Sequence, residues 1–480
     1  MAIARKVAYN VLFSSISKIL STILALVAIG FITRYLGKDG FGNYATVLAF
    51  LSFFTAVSDL GLYSISTREI SRDGANEAKI MGNIFGLRII TSLLVAILAP
   101  ILILFFPYPR EVKEGILIIA LAFLFSSGYQ ILNGIFQKNL AMDKVSIGEL
   151  VGKIVQVAIV AAAVKLRLSF SWIILSLLIN MIVSFLIVFF WSKKYLHFSV
   201  QFDFKYWKKF LRESMPLGIA SVIVFIYFKM DTILLSIMKT SAAVGIYNAA
   251  YKVLENITFF PAMIAGLVLP LMAKNIFTHR SEFEKISNKT FKVFVLLVVP
   301  LVIGTLFLAD GIIRLVGGAG FAESADVLRI LVFALAFIFF CNFFNSVLIV
   351  GNLQKKLMYV LGIAAAVNVT LNLIFIPKYS YFGAAVVSVI TEFLVVAFTG
   401  YLSFKYLKYM PKVEKILGIA GAALIMTAFL FVFQQYNFFV SLLVGTVVYL
   451  ISLWIFDAVK TSEILSLISK KGVEEYEEIP

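Results

Sequence analysis

The sequence predicts an all-α membrane protein with about fourteen transmembrane helices, and three observations support this fold class. Hydrophobic residues make up 61% of the chain and charged residues 14%, whereas a soluble domain is roughly half apolar and a quarter charged. The mean hydropathy is +0.99. Apolar windows of roughly 20 residues recur along the chain, and each is long enough to cross the hydrocarbon layer of a bilayer as a helix.

Fourteen such windows form the predicted spans, which we number in chain order. They are residues 10–33, 42–62, 82–106, 115–136, 146–165, 171–191, 214–238, 245–271, 290–309, 325–350, 357–376, 381–404, 414–434 and 437–457. The first span follows Arg5 and Lys6, but it is longer than the apolar region of a signal peptide and contains Lys18. We therefore expect it to be a retained transmembrane helix.

The net charge of +16 is explained by membrane topology rather than by nucleic-acid binding. Most Lys and Arg residues fall in alternate connections, which lie on the cytoplasmic side if the N-terminus is cytoplasmic. With an even number of spans, the C-terminus lies on the same side. The sequence thus predicts a multi-pass protein of the cell (plasma) membrane with both termini cytoplasmic.

The chain offers few residues for a disulfide framework or a Cys/His metal cluster. It contains one cysteine, Cys341, and two histidines, His197 and His279, both in basic connections. The connections between spans are short, so we expect neither a soluble catalytic domain nor an enzymatic activity.

An internal repeat divides the predicted spans into two lobes. Span 2 begins with Gly42-Asn43-Tyr44-Ala45, and span 8 begins with Gly245-Ile246-Tyr247-Asn248. The motif Ala-Leu-Ala-Phe occurs in both span 4 and span 10. The matches keep their order and are always an even number of spans apart. We infer two parallel six-helix lobes, spans 1–6 and 7–12, plus two extra helices. Such a repeat favours a substrate path between the lobes and rocking that alternates access.

The spans and the repeat predict five regions. They are the first lobe at 1–191, a cytoplasmic inter-lobe linker at 192–213, the second lobe at 214–404, spans 13 and 14 within 405–460, and an acidic cytoplasmic tail at 461–480. We expect the tail to be solvated, because it ends in a run of acidic residues.

Several stretches resemble one transporter family over essentially the whole chain. They are Arg34-Tyr35-Leu36-Gly37, Phe41-Gly42-Asn43-Tyr44, Asp59-Leu60-Gly61-Leu62, Ser66-Thr67-Arg68-Glu69, Asp231-Thr232-Ile233-Leu234-Leu235 and Val244-Gly245-Ile246-Tyr247. The chain resembles the polysaccharide biosynthesis transporters, the O-antigen-unit (Wzx-type) flippases of the multidrug/oligosaccharidyl-lipid/polysaccharide exporter (MOP) superfamily. Lipid II flippases are related to this group.

The resemblance implies a V-shaped, MATE-like bundle of two lobes. It implies a flippase that moves a lipid-linked oligosaccharide, on a polyprenyl-pyrophosphate carrier, from the cytoplasmic to the outer leaflet by alternating access. The expected partners are this substrate, the membrane lipids and the enzymes of polysaccharide assembly, with no nucleic acid. No cofactor is expected apart from Na⁺ as a candidate coupling ion; protons and the membrane potential are alternatives.

Six basic residues are the candidate substrate-binding residues, because Lys and Arg can hold a pyrophosphate away from water by charge-assisted hydrogen bonds. They are Lys18, Arg34, Arg68, Arg88, Lys229 and Lys252. The first four can instead anchor helices at the membrane interface. Lys252 can pair with Glu255, and Lys153 with Glu149, along one helix.

Span 7 contains both Lys229 and Asp231, which point to nearly opposite faces of one helix and therefore need separate partners. The resemblance to lipid II flippases also implies a sodium site. Its candidate ligands are Asp231, Asn368, Asn372, Val387 and Thr391. Asn372 stands where a second acid would strengthen such a site. A proton on Asp231 or Glu392 is one alternative, and a hydrogen-bond cluster without a coupling ion is another.

Two other functions compete with the flippase. A multidrug or organic-cation antiporter predicts an acidic, aromatic cleft, whereas the first lobe offers Lys18 and Arg88 against Asp59 and a Glu149–Lys153 pair. A polytopic membrane glycosyltransferase or polymerase predicts catalytic acids on a sizeable outer loop, and the outer connections are all short.

Overall fold

The computed structural model describes residues 2–59, 61–433 and 436–459, with side chains from Phe13 onward. Within these residues the secondary structure is helical and contains no β-strand, which confirms the predicted fold class. The predicted acidic tail lies outside the described residues, as do the side chains of Arg5 and Lys6.

The helices are numbered in chain order, and a short 3-10 helix, Ala319–Phe321, follows α10. Their bounds are α1 Ala2–Asp59, α2 Leu62–Ile70, α3 Glu77–Leu104, α4 Arg110–Lys138, α5 Met142–Lys165, α6 Phe170–Ser192, α7 Phe204–Met238, α8 Ser241–Ile257, α9 Phe259–Asn275, α10 Arg280–Val316, α11 Glu323–Val350, α12 Gln354–Leu407, α13 Ile416–Phe433 and α14 Phe438–Ile455. Among the described residues, twelve helical stretches are long and apolar enough to cross a membrane, and α8 with α9 forms one of them.

Two of these stretches are each long enough for two crossings. Phe13–Asp59 has 47 residues and α12 has 54, which at 1.5 Å per residue is about 70–80 Å. Gly37 interrupts α1 with φ 65° and ψ −170°, and Ser380 interrupts α12 with φ 51° and ψ −133°. Predicted spans 1 and 2 meet at the first break, and spans 11 and 12 at the second. Fourteen crossings are compatible with this pattern and stay a prediction.

The two interruptions have different chemical causes. Gly37 adopts a positive φ without steric cost because it lacks a Cβ. Ser380 does have a Cβ, but Pro377 precedes it by three residues and cannot donate a backbone hydrogen bond within α12. The break in α1 thus follows from a glycine, and the break in α12 lies next to a proline.

The described chain forms two compact units. The first contains the residues up to Ala249 together with Leu315–Phe321 and Leu361–Val387. The second contains Ala250–Arg314, Ala322–Val360 and the described residues from Ser388 onward. The boundaries predicted from the repeat, at 191, 213 and 404, concern a different division of the chain and stay predictions.

In the first unit, the connector between α6 and α7 is fastened to α3 by Asn83. The Asn83 Nδ2 donates to Gln201 Oε1 at 3.0 Å, and its Oδ1 accepts from the Asp203 backbone N–H at 2.9 Å. The Trp207 Nε1 donates to the Asn83 carbonyl at 2.8 Å. A Cβ at Gly86 would lie 2.3 Å from the Gln201 carbonyl oxygen, so the connector sits directly on the α3 backbone. The predicted linker is therefore an attached segment, and its last residues already belong to α7.

In the second unit, α10, α13 and α14 share an apolar core. Leu308 of α10 packs with Met426 and Leu430 of α13 and with Tyr449 and Leu453 of α14. The Tyr449 hydroxyl donates to the Leu296 carbonyl at 3.2 Å, so this buried ring keeps a hydrogen bond. The last two helices therefore pack on α10.

Candidate functional site

Asp231 lies buried in the first unit, with 3% of its surface exposed. The Tyr247 hydroxyl of α8 donates to Asp231 Oδ2, and the Thr232 backbone N–H donates to Oδ1 at 2.7 Å. A second link joins the two helices, because Thr232 Oγ1 lies 3.4 Å from Asn248 Oδ1. The buried carboxylate thus connects α7 with the start of α8. This part of α8 contains Gly245-Ile246-Tyr247, one copy of the repeated Gly-x-Tyr motif.

Asn368 and Asn372 lie one turn apart on α12 and are 2% and 0% exposed. Asn372 Nδ2 donates to Asn368 Oδ1 at 3.0 Å. The other amide atom, Asn372 Oδ1, is buried and has no hydrogen-bond partner in the described part of the chain. A buried acceptor oxygen without a donor is a group that a hard cation can satisfy.

The remaining candidate ligands lie further along α12. Val387 is fully buried in the first unit, whereas Thr391 and Glu392 are buried in the second. Within the second unit, the Cys341 thiol lies 3.5 Å from Glu392 Oε2 and 3.7 Å from the Glu392 carbonyl oxygen. Glu392 is therefore a buried carboxyl with a thiol as one hydrogen-bonding neighbour.

Lys18 forms an ion pair with Glu149, which joins α1 to α5. The Nζ lies 3.1 Å from Glu149 Oε1, and the two side chains are 44% and 40% exposed. One turn earlier on α1, Ser14 accepts a hydrogen bond from Ser146 at 3.1 Å. The face of α1 that carries Ser14 and Lys18 thus contacts α5. Spacing along α5 predicts a Glu149–Lys153 pair, but the structure gives Glu149 a partner on another helix.

Arg88 is almost completely buried and pairs with Asp59. Its Nη2 contacts Asp59 Oδ1, and its Nη1 donates to the Ser58 carbonyl at 3.0 Å. The side chains of Arg88 and Asp59 are 2% and 21% exposed. The guanidinium thus holds the end of α1 against α3.

Two further arginines bind groups of the first unit while staying exposed. Arg34 donates to the carbonyls of Gly30 and Leu315, each at 2.8 Å, and lines a groove of about 440 Å³. Arg68, 49% exposed, bonds to Glu213 at 3.0 Å and to its neighbour Glu69. Arg34 thus links α1 to the end of α10, and Arg68 links α2 to α7.

The last two candidate cations differ in burial. Lys229 is half-buried on α7, two residues before Asp231. Lys252 lies in the second unit and pairs with Glu255 at 2.6 Å, as the i,i+3 spacing predicts. The Lys252 side chain is 17% exposed and the Glu255 side chain 37%, so the pair stays partly accessible to solvent.

Gly42 of α1 and Gly245 of α8 pack backbone against backbone within the first unit. A Cβ added at Gly42 would lie 1.8 Å from the Ser241 carbonyl oxygen, and one added at Gly245 would lie 2.1 Å from the Lys38 carbonyl oxygen. Lys38 stands four residues before Gly42, as Ser241 does before Gly245. Gly42 and Gly245 are the glycines of the repeated Gly-x-Tyr motif, so this part of the sequence repeat corresponds to a symmetric contact between two helices.

Apart from the Lys252–Glu255 pair, sequence reasoning does not identify which side chains the candidate residues bind. Asp59, Glu149, Glu213 and Tyr247 each bind a candidate side chain from another helix. Asp59 and Tyr247 lie in the stretches that carry the family resemblance, which is the one signal the sequence gives for them. Glu149 and Glu213 carry no such signal.

The comparisons with known proteins agree on one family and one fold. A family model described as polysaccharide biosynthesis protein matches residues 7–276. The capsular polysaccharide biosynthesis protein CapF of Staphylococcus aureus is 25% identical over 393 residues, which are 80% of this chain and 96% of that protein. A protein of Haloferax volcanii named "Probable low-salt glycan biosynthesis flippase Agl15" is 23% identical over 390 residues, or 78% of this chain and 79% of that protein.

The fold is also that of a solved structure, lipid II flippase MurJ in an inward closed conformation. The TM-score is 0.75 at 20% identity, and the alignment covers 93% of this chain and 98% of that one. The family model matches more than half of this chain. The chain therefore belongs to the polysaccharide biosynthesis protein family, as the sequence resemblance predicts.

Proposed function

We propose that the protein is a flippase that moves a lipid-linked oligosaccharide, on a polyprenyl-pyrophosphate carrier, from the cytoplasmic to the outer leaflet by alternating access. Membership of the polysaccharide biosynthesis protein family carries this proposal. The name of the Haloferax relative and the fold of a lipid II flippase support it. The protein would act as a transporter without a covalent step, in the plasma membrane with both termini cytoplasmic, beside the enzymes of polysaccharide assembly.

Partly exposed cations support binding of an anionic headgroup. Lys18 and Arg68 each pair with a carboxylate that is itself at least one-third exposed. Exposed ion pairs are weak, whereas phosphate oxygens accept strong charge-assisted hydrogen bonds from Lys and Arg. A pyrophosphate can therefore replace Glu149 or Glu213 as the partner of these cations. Lys229 is the half-buried candidate, and Arg34 is exposed on its groove.

The alternative of an organic-cation antiporter receives less support from the charges. Binding a cation needs acids that are free to pair with it. Asp59, Glu149 and Glu255 each form an ion pair with a Lys or Arg. These three ion-paired acids favour an anionic substrate over a cationic one.

We further propose sodium as the coupling ion, held by the candidate ligands of the first unit, Asp231, Asn368, Asn372 and Val387. The unpartnered Asn372 Oδ1 supports this set, because a cation would supply the missing interaction. A proton on Glu392 is the second candidate, and the nearby Cys341 thiol favours it as a hydrogen-bonding neighbour of the carboxyl group.

Flipping is tested in proteoliposomes with a fluorescent lipid-linked oligosaccharide whose outer-leaflet pool is quenched by a membrane-impermeant reductant. We expect the protein to speed exchange between leaflets well above that in empty liposomes, while a fluorescent organic cation is not transported. Transport of the organic cation without transport of the lipid would favour the antiporter instead.

Lys18 and Glu149 supply a matched pair of variants for the same assay. Lys18→Ala and Glu149→Ala break the same ion pair, but only the first removes the cation. We expect Lys18→Ala to slow flipping about ten-fold and Glu149→Ala to leave the rate within about two-fold. Equal rates in the two variants would make Lys18 a structural partner only.

A further inference from the structure

A cavity of about 350 Å³ lies among α3, α4 and α6 of the first unit. Aromatic rings from all three helices line it, namely Phe85, Phe125 and Phe185. Leu93, which also lines the cavity, is 46% exposed and begins a run of exposed apolar side chains along α3. The cavity therefore opens on an apolar surface of the kind that membrane spans present to lipid. Of the six candidate substrate-binding residues, only Arg88 lines this cavity.

Three polar side chains also line this cavity, and each keeps a buried polar atom without a hydrogen-bond partner in the described structure. These atoms are Nε of Arg88, Oγ of Ser92 and Oγ of Ser127. The three residues are 1%, 2% and 1% exposed. A buried donor without an acceptor is costly, so such groups normally have a partner. These three groups therefore favour a ligand that brings an acceptor oxygen.

The charges around the cavity favour a neutral hydrogen-bond acceptor over an anion. Arg88 already pairs with Asp59, and its Nη1 is bonded to the Ser58 carbonyl. The Arg88–Asp59 pair is thus neutral overall and leaves the Arg88 Nε–H as a donor, and the two serines are neutral. A carbonyl or hydroxyl oxygen matches this set of donors better than a phosphate does.

The position of the cavity, between a polar connector and an apolar surface, favours an amphiphilic ligand. The Phe85 ring lies 5.6 Å from the ring of Phe198, which belongs to the polar connector between α6 and α7. Gly86 packs on Gln201 of the same connector. One end of the cavity therefore lies next to this polar connector, and Ser92 lies about two turns beyond Phe85 along α3. A chain with an oxygen at one end fits this orientation.

We propose that this cavity binds one hydrocarbon chain of a membrane amphiphile that ends in a neutral acceptor oxygen. The oxygen accepts from Arg88 Nε and from the hydroxyl of Ser92 or Ser127, and the chain packs against the aromatic rings. Two sources supply this chemistry, the ester carbonyl of a bilayer lipid and the terminal hydroxyl of a polyprenol. The site shares Arg88 with the candidate substrate-binding residues, but the proposal does not depend on the proposed transport function.

The test is photolabelling of the full-length protein with two probes, a phosphatidylglycerol with a diazirine on one acyl chain and a C15 prenol with a diazirine. Labelled peptides are mapped by mass spectrometry. We expect one of the probes to label residues within 85–93 or 124–128. Label from the phospholipid assigns the ester carbonyl, and label from the prenol assigns the hydroxyl.

Substitutions that fill the cavity test the location. Ser92→Leu and Ser127→Leu should each lower labelling at least ten-fold. Thr91→Leu is the matched control, because Thr91 is adjacent to Ser92 but does not line the cavity, and its hydroxyl already bonds to the Arg88 carbonyl at 3.2 Å. Unchanged labelling in both leucine variants, or no label in these segments of the unmodified protein, would overturn the proposal.

One double variant tests the site without added bulk, in case the leucine variants fail to fold. Ser92→Ala with Ser127→Ala keeps the cavity open but removes two donors. We expect this double variant to keep the thermal stability of the unmodified protein and to lose labelling at least three-fold. Labelling equal to that of the unmodified protein would exclude the hydrogen bonds on which the site depends.

Discussion

Gly42 and Gly245 each stand where the other's helix leaves no room for a side chain. A Cβ on Gly42 would lie 3.0 Å from the Gly245 backbone nitrogen, and a Cβ on Gly245 would lie 3.2 Å from the Gly42 nitrogen. Two helix backbones that approach this closely gain dispersion and Cα–H···O contacts. The contact depends on the missing side chains alone, so the smallest added group must separate the helices.

Substituting either glycine by alanine should weaken this contact and with it transport. The added Cβ would overlap the Ser241 or Lys38 carbonyl oxygen, and neither backbone group can move without its helix. We expect Gly42→Ala and Gly245→Ala to reduce flipping in proteoliposomes at least ten-fold. Gly362→Ala is the control, because a Cβ there meets no atom within 4 Å. Flipping at the unmodified rate in both variants would show that the contact is dispensable.

Removing Asp59 should destabilise the protein, because it leaves the buried Arg88 charge without its carboxylate. Breaking a buried ion pair from one side costs about 3–5 kcal/mol, and we expect a value near the lower end, about 3 kcal/mol, because Asp59 is 21% exposed. The midpoint of thermal unfolding in detergent measures the effect of Asp59→Asn. The double variant Asp59→Asn, Arg88→Met should recover most of the loss. A double variant less stable than the single one would contradict this account of the pair.

Sodium should stabilise the protein through Asp231 if the proposed cation site is correct. We expect the unfolding temperature to be a few degrees higher in NaCl than in KCl of equal ionic strength, because a ligand bound to the folded state alone raises its stability. Asp231→Asn should abolish the difference, and Tyr247→Phe should keep it, because it removes a hydrogen-bond donor but leaves the carboxylate. A sodium response that persists in Asp231→Asn would exclude this site.

The sequence predicts the helical spans well because the bilayer imposes their length and composition. Gly37 separates predicted spans 1 and 2, and the structure has its non-helical residue at that position. Lys252 and Glu255 are also predictable as a pair, because their spacing along one helix is enough to bring them together.

The contacts between helices are not predictable in this way. In soluble proteins an apolar face indicates which side of a helix is buried, but in a membrane both the lipid and the protein interior are apolar. The rotation of α3 that brings Arg88 to Asp59 therefore leaves no periodic signal in the sequence. The same holds for Lys18, whose partner Glu149 lies 131 residues away.

The attachment of Asn83 to the connector fixes the start of α7 to α3. The helix begins at Phe204, directly after Asp203, whose backbone N–H is bonded to Asn83. The part of α7 beyond Pro216 carries Lys229 and Asp231. A proline inside a helix removes one backbone hydrogen bond and allows bending at that point. Bending of α7 at Pro216 would therefore move Asp231 relative to α3, and the hydrogen bond from Tyr247 would carry that movement to α8.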